Sequence, residues 1–432
     1  MIKKVLLTPF QKFVKIEGLS GILLFGATIF AMLWANSSFS ESYDWLWNFK
    51  IGINSDSFSL EKPLILWIND GLMAIFFFLI GLEIKRELLI GELNSFKKAA
   101  LPLFAAIGGV IFPMVLFILL NNSDATFKGW GIPMATDIAF TLAILNLLGN
   151  RVPLSLKIFL TAFAIVDDLV AVLVIAIFYS ETINWILILY ASFCFIPLII
   201  AAKYGYYSKY LTTIFGIAIW VLFLKSGIHP TIAGVLLAFT IPIRQKVVVS
   251  DFIDNLKIIA DKITKTEKEQ IPILSYEQIH EMDNLEELTE KFRSPLQHLE
   301  HKLHGWSAFF IMPIFALANA GVAFSANMEI DIPLIINITL ALFVGKCIGI
   351  ASLSFLSIKL KWAQLPSNTN FTQILGVAIL AGVGFTMSIF IANLAFFEEV
   401  IYVNSAKVGV ISGSVISGVI GYFVLRWSGK KQ

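Results

Sequence analysis

The stretch Ile158–Tyr179, IFLTAFAIVDDLVAVLVIAIFY, carries two adjacent aspartates, Asp167 and Asp168, and no other charge. About 20 consecutive apolar residues suffice to cross a bilayer as a helix. On insertion scales each Asp at mid-span costs about 2.5–3.5 kcal/mol. Ionisable groups at that depth face a cavity or a partner rather than lipid, so the pair reads as an ion or proton site. Neighbours on a helix point about 100° apart. The two carboxylates therefore cannot both face one small cavity squarely. One should face a water-filled cleft, and the other should lean toward a neighbouring helix. A small cation would compete with protons for the same oxygens, and that competition alone produces exchange.

The rest of the chain fits a membrane setting. Of its 432 residues, 57% are hydrophobic and 14% charged, against about 45–50% and 25% in soluble domains. The net charge of +2 and the lack of a basic-aromatic patch give no sign of a nucleic-acid partner. Cys194 and Cys347 both lie in apolar runs, so neither a disulfide nor a thiolate metal site is expected. Lys3, Lys4, Lys12 and Lys15 precede the first apolar run, which reads as an uncleaved span rather than a signal peptide.

Apolar runs separated by polar joints predict an all-α polytopic membrane protein of about twelve transmembrane helices, a single transporter domain over 1–432. With the N-terminus inside, 26 of the 32 Lys and Arg fall on the inner side and 5 in outer joints. The positive-inside rule then places both termini in the cytoplasm. Two joints are long. The outer one, 37–62, alternates around NSDS and predicts a β-hairpin. The inner one, 244–304, is rich in both charge signs and reads mostly as a solvated loop, with helical spacing at Tyr276–Phe292.

Ionisable residues deep in the apolar runs are Asp137, Asp167, Asp168 and Lys346. A buried lysine is the natural partner for whichever aspartate turns from the cleft. Two runs carry helix breakers. In GWGIPMATDIAF, Pro133 removes a backbone donor shortly before Thr136 and Asp137. In LAGVGFTMSIF, Gly382 and Gly384 flank Val383. Interrupted spans in the two halves of a chain point to a midplane transport site. Spans three to five and ten to twelve would then be inverted repeats, each with its discontinuous helix (span four or eleven) in the middle.

These motifs resemble the NhaA-type sodium/proton antiporters. The stretches that carry the resemblance include LWINDGLMAIFFFLIGLEIKREL (66–88), MATDIAF (134–140), VPLSLKIFLTAFAIVDDL (152–169), LKSGIHPTIAGV (224–235), LEHKLHGW (299–306), PIFALANAGV (313–322), GKCIGI (345–350) and GVGFTMSIFIANLAF (382–396). The resemblance implies an electrogenic, pH-regulated secondary transporter that exports sodium or lithium in exchange for protons. It implies Asp168 as principal cation ligand with Asp167 beside it, Asp137 and Thr136 at the broken helix, and Lys346 as charge compensator or proton carrier. Glu83, Arg86, Glu87, Glu300, His301 and His304 correspond to a cytoplasmic funnel and pH sensor, and His229 and Asp70 to lesser positions. It further implies a bacterial inner membrane, and a homodimer joined through the 37–62 hairpin. About 247–295 is an insertion relative to the short family pattern. No GxxxxGK[ST] occurs, so no ATP site is expected; the resemblance to a secondary transporter implies neither a cofactor nor an enzymatic activity. A sodium-coupled symporter or channel on a related scaffold is the alternative; an intramembrane aspartyl protease would need its acids on facing helices.

Overall fold

The apolar runs are helices in the computed structural model, which describes residues 9–55, 58–180, 182–244, 247–265, 274–323, 329–397 and 399–429. The chain opens with α1 (Pro9–Ala35), the short α2 (Ser40–Asn48) and the antiparallel strands β1 (Lys50–Ser55) and β2 (Phe58–Pro63). There follow α3 (Leu64–Leu89), α4 (Phe96–Leu120), a 3₁₀ segment (Asp124–Met134) with α5 (Ile138–Leu147), and α6 (Leu154–Phe178). Next are α7 (Trp185–Lys203), α8 (Lys209–Ser226), α9 (Thr231–Phe239), α10 (Val249–Lys265), α11 (Tyr276–Phe292) and α12 (295–319). The chain finishes with α13 (Ile332–Lys359), α14 (Phe371–Leu380), α15 (Phe385–Ala395) and α16 (Val400–Ser428). The protein is therefore an all-α polytopic membrane protein. Among the described residues eight helices are long and apolar enough to span, or ten with each bent pair counted as one span. The nine-residue α9 and the less apolar α12 occupy the positions of the other two expected runs.

The core lies around α6, whose apolar window is 78% buried, whereas α7 at 11% turns most of its surface outward. Burial on all sides is what a helix with two aspartates requires. Large apolar side chains such as Leu33, Leu119 and Ile177 are exposed, as a lipid-facing surface demands. Inside, close approach comes from small residues. A Cβ added at Gly108 of α4 would lie 2.1 Å from Gly349 O of α13, and one at Gly349 equally near Gly108 O. With those glycines the two backbones touch, as packing in lipid favours.

The outer joint holds more than the expected hairpin. The strands pair with Ile51 opposite Lys62 and Ile53 opposite Leu60. Before them α2 buries Tyr43 and Trp47, four residues apart and so on one helical face. The Tyr43 hydroxyl lies 2.8 Å from Leu317 O and 3.1 Å from Ala318 O, which ties the joint to α12.

The charged inner joint is a helical hairpin. The helical spacing at Tyr276–Phe292 is α11, begun by a capping box of Ser275 and Gln278. The expectation of a loop fails at α10, which was legible in the same way: Phe252, Leu256, Ile259 and Ile263 recur at helical spacing and give it one apolar face. Phe252 stacks on Phe292 at 4.0 Å, and Lys262 Nζ donates to Glu281 Oε1 at 3.0 Å. That hydrogen bond, with help from Asn284, holds the Glu281 carboxyl below its ordinary range. A carboxyl lowered in the folded state stabilises it above the unfolded pKa, and that contribution is lost as pH falls through the folded value. Protection in α11, its exchange measured relative to the intrinsic amide rate at each pH, should therefore be flat across neutral pH and fall only below about pH 4. Protection that falls between neutral and mildly alkaline pH would show that another group governs the hairpin.

Candidate functional site

The site is built where two helix breaks cross. At the first, Ala135 and Asp137 are extended, and the 3₁₀ segment meets α5 at 48°. At the second, residues 381–384 turn between α14 and α15, which meet at 44°. The breaks bond to each other. Asp137 N donates to Val383 O at 2.7 Å, and Thr136 Oγ1 donates to Ala381 O at 3.1 Å. Gly384 permits the crossing, since a Cβ there would come within 2.8 Å of Ala135 O.

Each break leaves helix ends with unsatisfied groups and partial charge. The Asp137 carboxylate serves two N-termini at once. Oδ1 accepts from Phe140 N at 3.1 Å, and Oδ2 accepts from Thr386 N at 3.1 Å and from the Thr386 hydroxyl. Opposite it, Lys346 Nζ donates to Thr136 Oγ1 at 2.6 Å, the same hydroxyl that serves Ala381 O at the end of α14. A π turn, Ala341–Gly345, immediately precedes Lys346. Its extra residue per turn rotates the remainder of the helix, Lys346 included, and such bulges often sit at functional sites.

The two aspartates of α6 take different surroundings. Asp167 Oδ2 pairs with Lys346 Nζ at 2.8 Å, and neither side chain is exposed. Asp168 turns instead into a cleft of about 510 Å³, counting the open space at its mouth, together with Thr136, Asp137 and Thr386. Its Oδ1, like the Oδ1 of Asp167, is buried and has no hydrogen-bond partner among the described residues; Asp168 differs in having no lysine at its other oxygen. A buried carboxylate oxygen left bare is costly. A proton or a small cation at Asp168 would remove that cost.

Glu83 and His304 line the same cleft as Asp168. Glu83 Oε1 lies 3.9 Å from His304 Nδ1. One helical turn further along α3, Arg86 pairs with Glu87 at 2.7 Å and with Glu300 of α12. Five of the six expected funnel residues are thus brought together; His301, the sixth, is exposed.

The family described as Na+/H+ antiporter 1 matches residues 11–425. The Na(+)/H(+) antiporter NhaA of Oleidesulfovibrio alaskensis is 46% identical over 98% of this chain and 94% of its own length. Those of Wolinella succinogenes and Koribacter versatilis are 45% and 44% identical, over 97% and 98% of this chain and 94% and 92% of theirs. The chain belongs to the Na+/H+ antiporter 1 family. It is a multi-pass membrane Na+/H+ antiporter, and its substrates are ions.

The remaining expected positions of the antiporter form a second cluster, away from the cleft. Asp70 Oδ2 accepts from Lys62 Nζ at 2.8 Å, and its Oδ1 lies 3.7 Å from His229 Nε2. His229 Nδ1 is 2.8 Å from Thr231 Oγ1. Lys62 is the β2 residue opposite Ile51, so the strand pair is bound directly to α3.

Three features escaped the sequence. Thr386 lay inside a recognised motif, but its two bonds to Asp137 need the crossing to be seen. Lys407 falls by hydropathy in an outer joint. It is buried at 7% exposure within α16, because the helix starts at Val400 and not near residue 408. Three asparagines, Asn69, Asn319 and Asn393, meet only in the fold, and neutral amides in apolar runs carry no sequence signal of their own.

Proposed function

We propose that this antiporter exports sodium, or lithium, from the cytoplasm of a bacterial cell across the inner membrane in exchange for protons, with both termini cytoplasmic. The division of labour on α6 carries this reading. Lys346 already neutralises Asp167, while Asp168 is left to a mobile positive charge inside a cleft that Glu83 and His304 open toward the basic side of the chain. Asp137 and Thr136 hold the crossing that shapes the site and add oxygens to it. The site binds and releases ions, and its only bond-making step is protonation and deprotonation of a carboxylate.

Alternating access follows from the same crossing. The broken helices rock as a unit against α3 and α12, and Asp168 meets each side in turn. If two protons enter for each sodium that leaves, one net charge moves inward per cycle, worth about 2.3 kcal/mol at 100 mV. The Arg86–Glu87–Glu300 cluster and the Glu83–His304 pair, at the cleft mouth, set the pH at which cations gain access. The strand pair, with Ile51 and Ile53 exposed, joins two copies into a homodimer.

Proteoliposomes with a clamped potassium diffusion potential test this. Sodium-dependent proton flux should appear, and an inside-negative potential should speed sodium export. Equal rates at every imposed potential would overturn the two-for-one exchange.

A further inference from the structure

Outward of the cleft the path is closed by two layers. The first is aromatic. Phe390 of α15 is fully buried, with Phe77 of α3 at 5.8 Å and Phe315 of α12 at 6.1 Å between ring centroids. The second is made of amides. Asn319 Nδ2 donates to Asn69 Oδ1 at 2.8 Å and to Phe315 O at 3.0 Å; Asn393 Nδ2 donates to Asn319 Oδ1 at 2.7 Å. Asn319 is wholly buried and Asn69 is 8% exposed.

The three asparagines stand at one level. Phe76, Met312 and Thr386 all line the cleft, and each lies seven residues from an asparagine on its own helix: Asn69, Asn319 and Asn393. Seven residues of helix rise about 10 Å. The amide layer therefore caps the cleft two turns beyond the cation site, on the side opposite Glu83. Its membership is unequal. Asn69 and Asn319 belong to α3 and α12, whereas Asn393 belongs to the broken helix α15. One hydrogen bond, Asn393 to Asn319, crosses between them. Near Asn69 the helix is itself relaxed into a π turn, Trp67–Leu72.

An apolar seal alone would stop water. Amides add something an apolar layer lacks. Closed, they satisfy one another, as buried polar groups must. Open, their carbonyl oxygens can replace waters around a small cation, and being neutral they do not hold it. We propose that Asn69, Asn319 and Asn393, above Phe390, form the outer gate of the cation path, with the Asn393–Asn319 hydrogen bond as its latch. This rests on alternating access as proposed above.

The test uses the full chain with Cys194 and Cys347 replaced by alanine, in inside-out vesicles. An amide–amide contact sets Cβ atoms farther apart than a disulfide spans, so Asn319→Cys with Asn393→Cys is bridged by a short bis-methanethiosulfonate reagent. Bridging should cut sodium–proton exchange roughly ten-fold or more, as for a lid held shut, and reductant should restore it. In detergent the bridged protein should still be stabilised by sodium, because the cleft stays open to the cytoplasm. A bridged protein that exchanges at the unbridged rate, or a pair that never bridges, overturns the gate. Loss of sodium stabilisation on bridging would also overturn it, by placing the pair in the site. Asn393→Leu should slow exchange and keep sodium stabilisation, and Asn393→Ser should recover exchange by returning an oxygen; equal rates for Leu and the parent also overturn the proposal. Failure of alternating access itself would show separately, as absent exchange in the unbridged cysteine-free parent that still binds sodium.

Discussion

Replacing Asp168 with asparagine is expected to reduce sodium-dependent proton release from inside-out vesicles to background while leaving the fold intact. Asparagine keeps the shape and can fill the same volume. It neither takes up a proton near neutral pH nor supplies a negative charge to a cation, so both halves of the exchange stop together. Stability without sodium should not fall, since the Asp168 Oδ1 has no hydrogen bond to lose among the described residues and a bare buried carboxylate is a cost. What should vanish is stabilisation by the ion: a ligand at 100 times its Kd adds about 2.7 kcal/mol to the parent, and the variant should show none. Thermal melts with and without sodium, beside the flux assay, measure both. Retained exchange would remove Asp168 from the site. Asp137→Asn is the contrasting variant, because that carboxylate holds Thr386 and Phe140 in place; its loss should lower stability even in the absence of sodium.

Much of this site was legible from residue type and depth. Charges inside apolar runs are few because each is costly, so Asp137, Asp167, Asp168 and Lys346 announced themselves. Helical geometry required the adjacent aspartates to diverge, and they do. The helix breaks were visible as Pro133 and the Gly382–Gly384 pair, since both residue types act locally on the backbone. Contacts between distant runs were not legible. Nothing local tells that Asp137 N meets Val383 O, that Asp70, Lys62 and His229 share one cluster, or that three asparagines share one level. The π turns were hidden as well, because an extra residue in a turn depends on packing rather than on composition. Lys407 is hidden for a related reason: hydropathy ends a span where apolar residues stop, yet a helix continues wherever its polar groups find cover.

Replacing Lys346 with alanine is expected to have the largest effect on stability of any single change at the crossing. The lysine has two duties. It neutralises Asp167 at 2.8 Å, and through Thr136 it reaches the end of α14. Removing one partner of a buried pair costs about 3–5 kcal/mol, because the other charge is left without compensation. Melting temperature should drop accordingly, and exchange should weaken as Asp167 takes a proton or cation of its own. The double variant Lys346→Ala with Asp167→Asn separates the two duties. If pairing dominates, the second change restores most of the lost stability, since no bare charge remains. If the helix end dominates, stability stays low, because the amide at 167 does nothing for Ala381 O. An unchanged melting temperature in Lys346→Ala, with unchanged transport currents, would rule out the pair as a structural element and leave Lys346 without a role in charge movement.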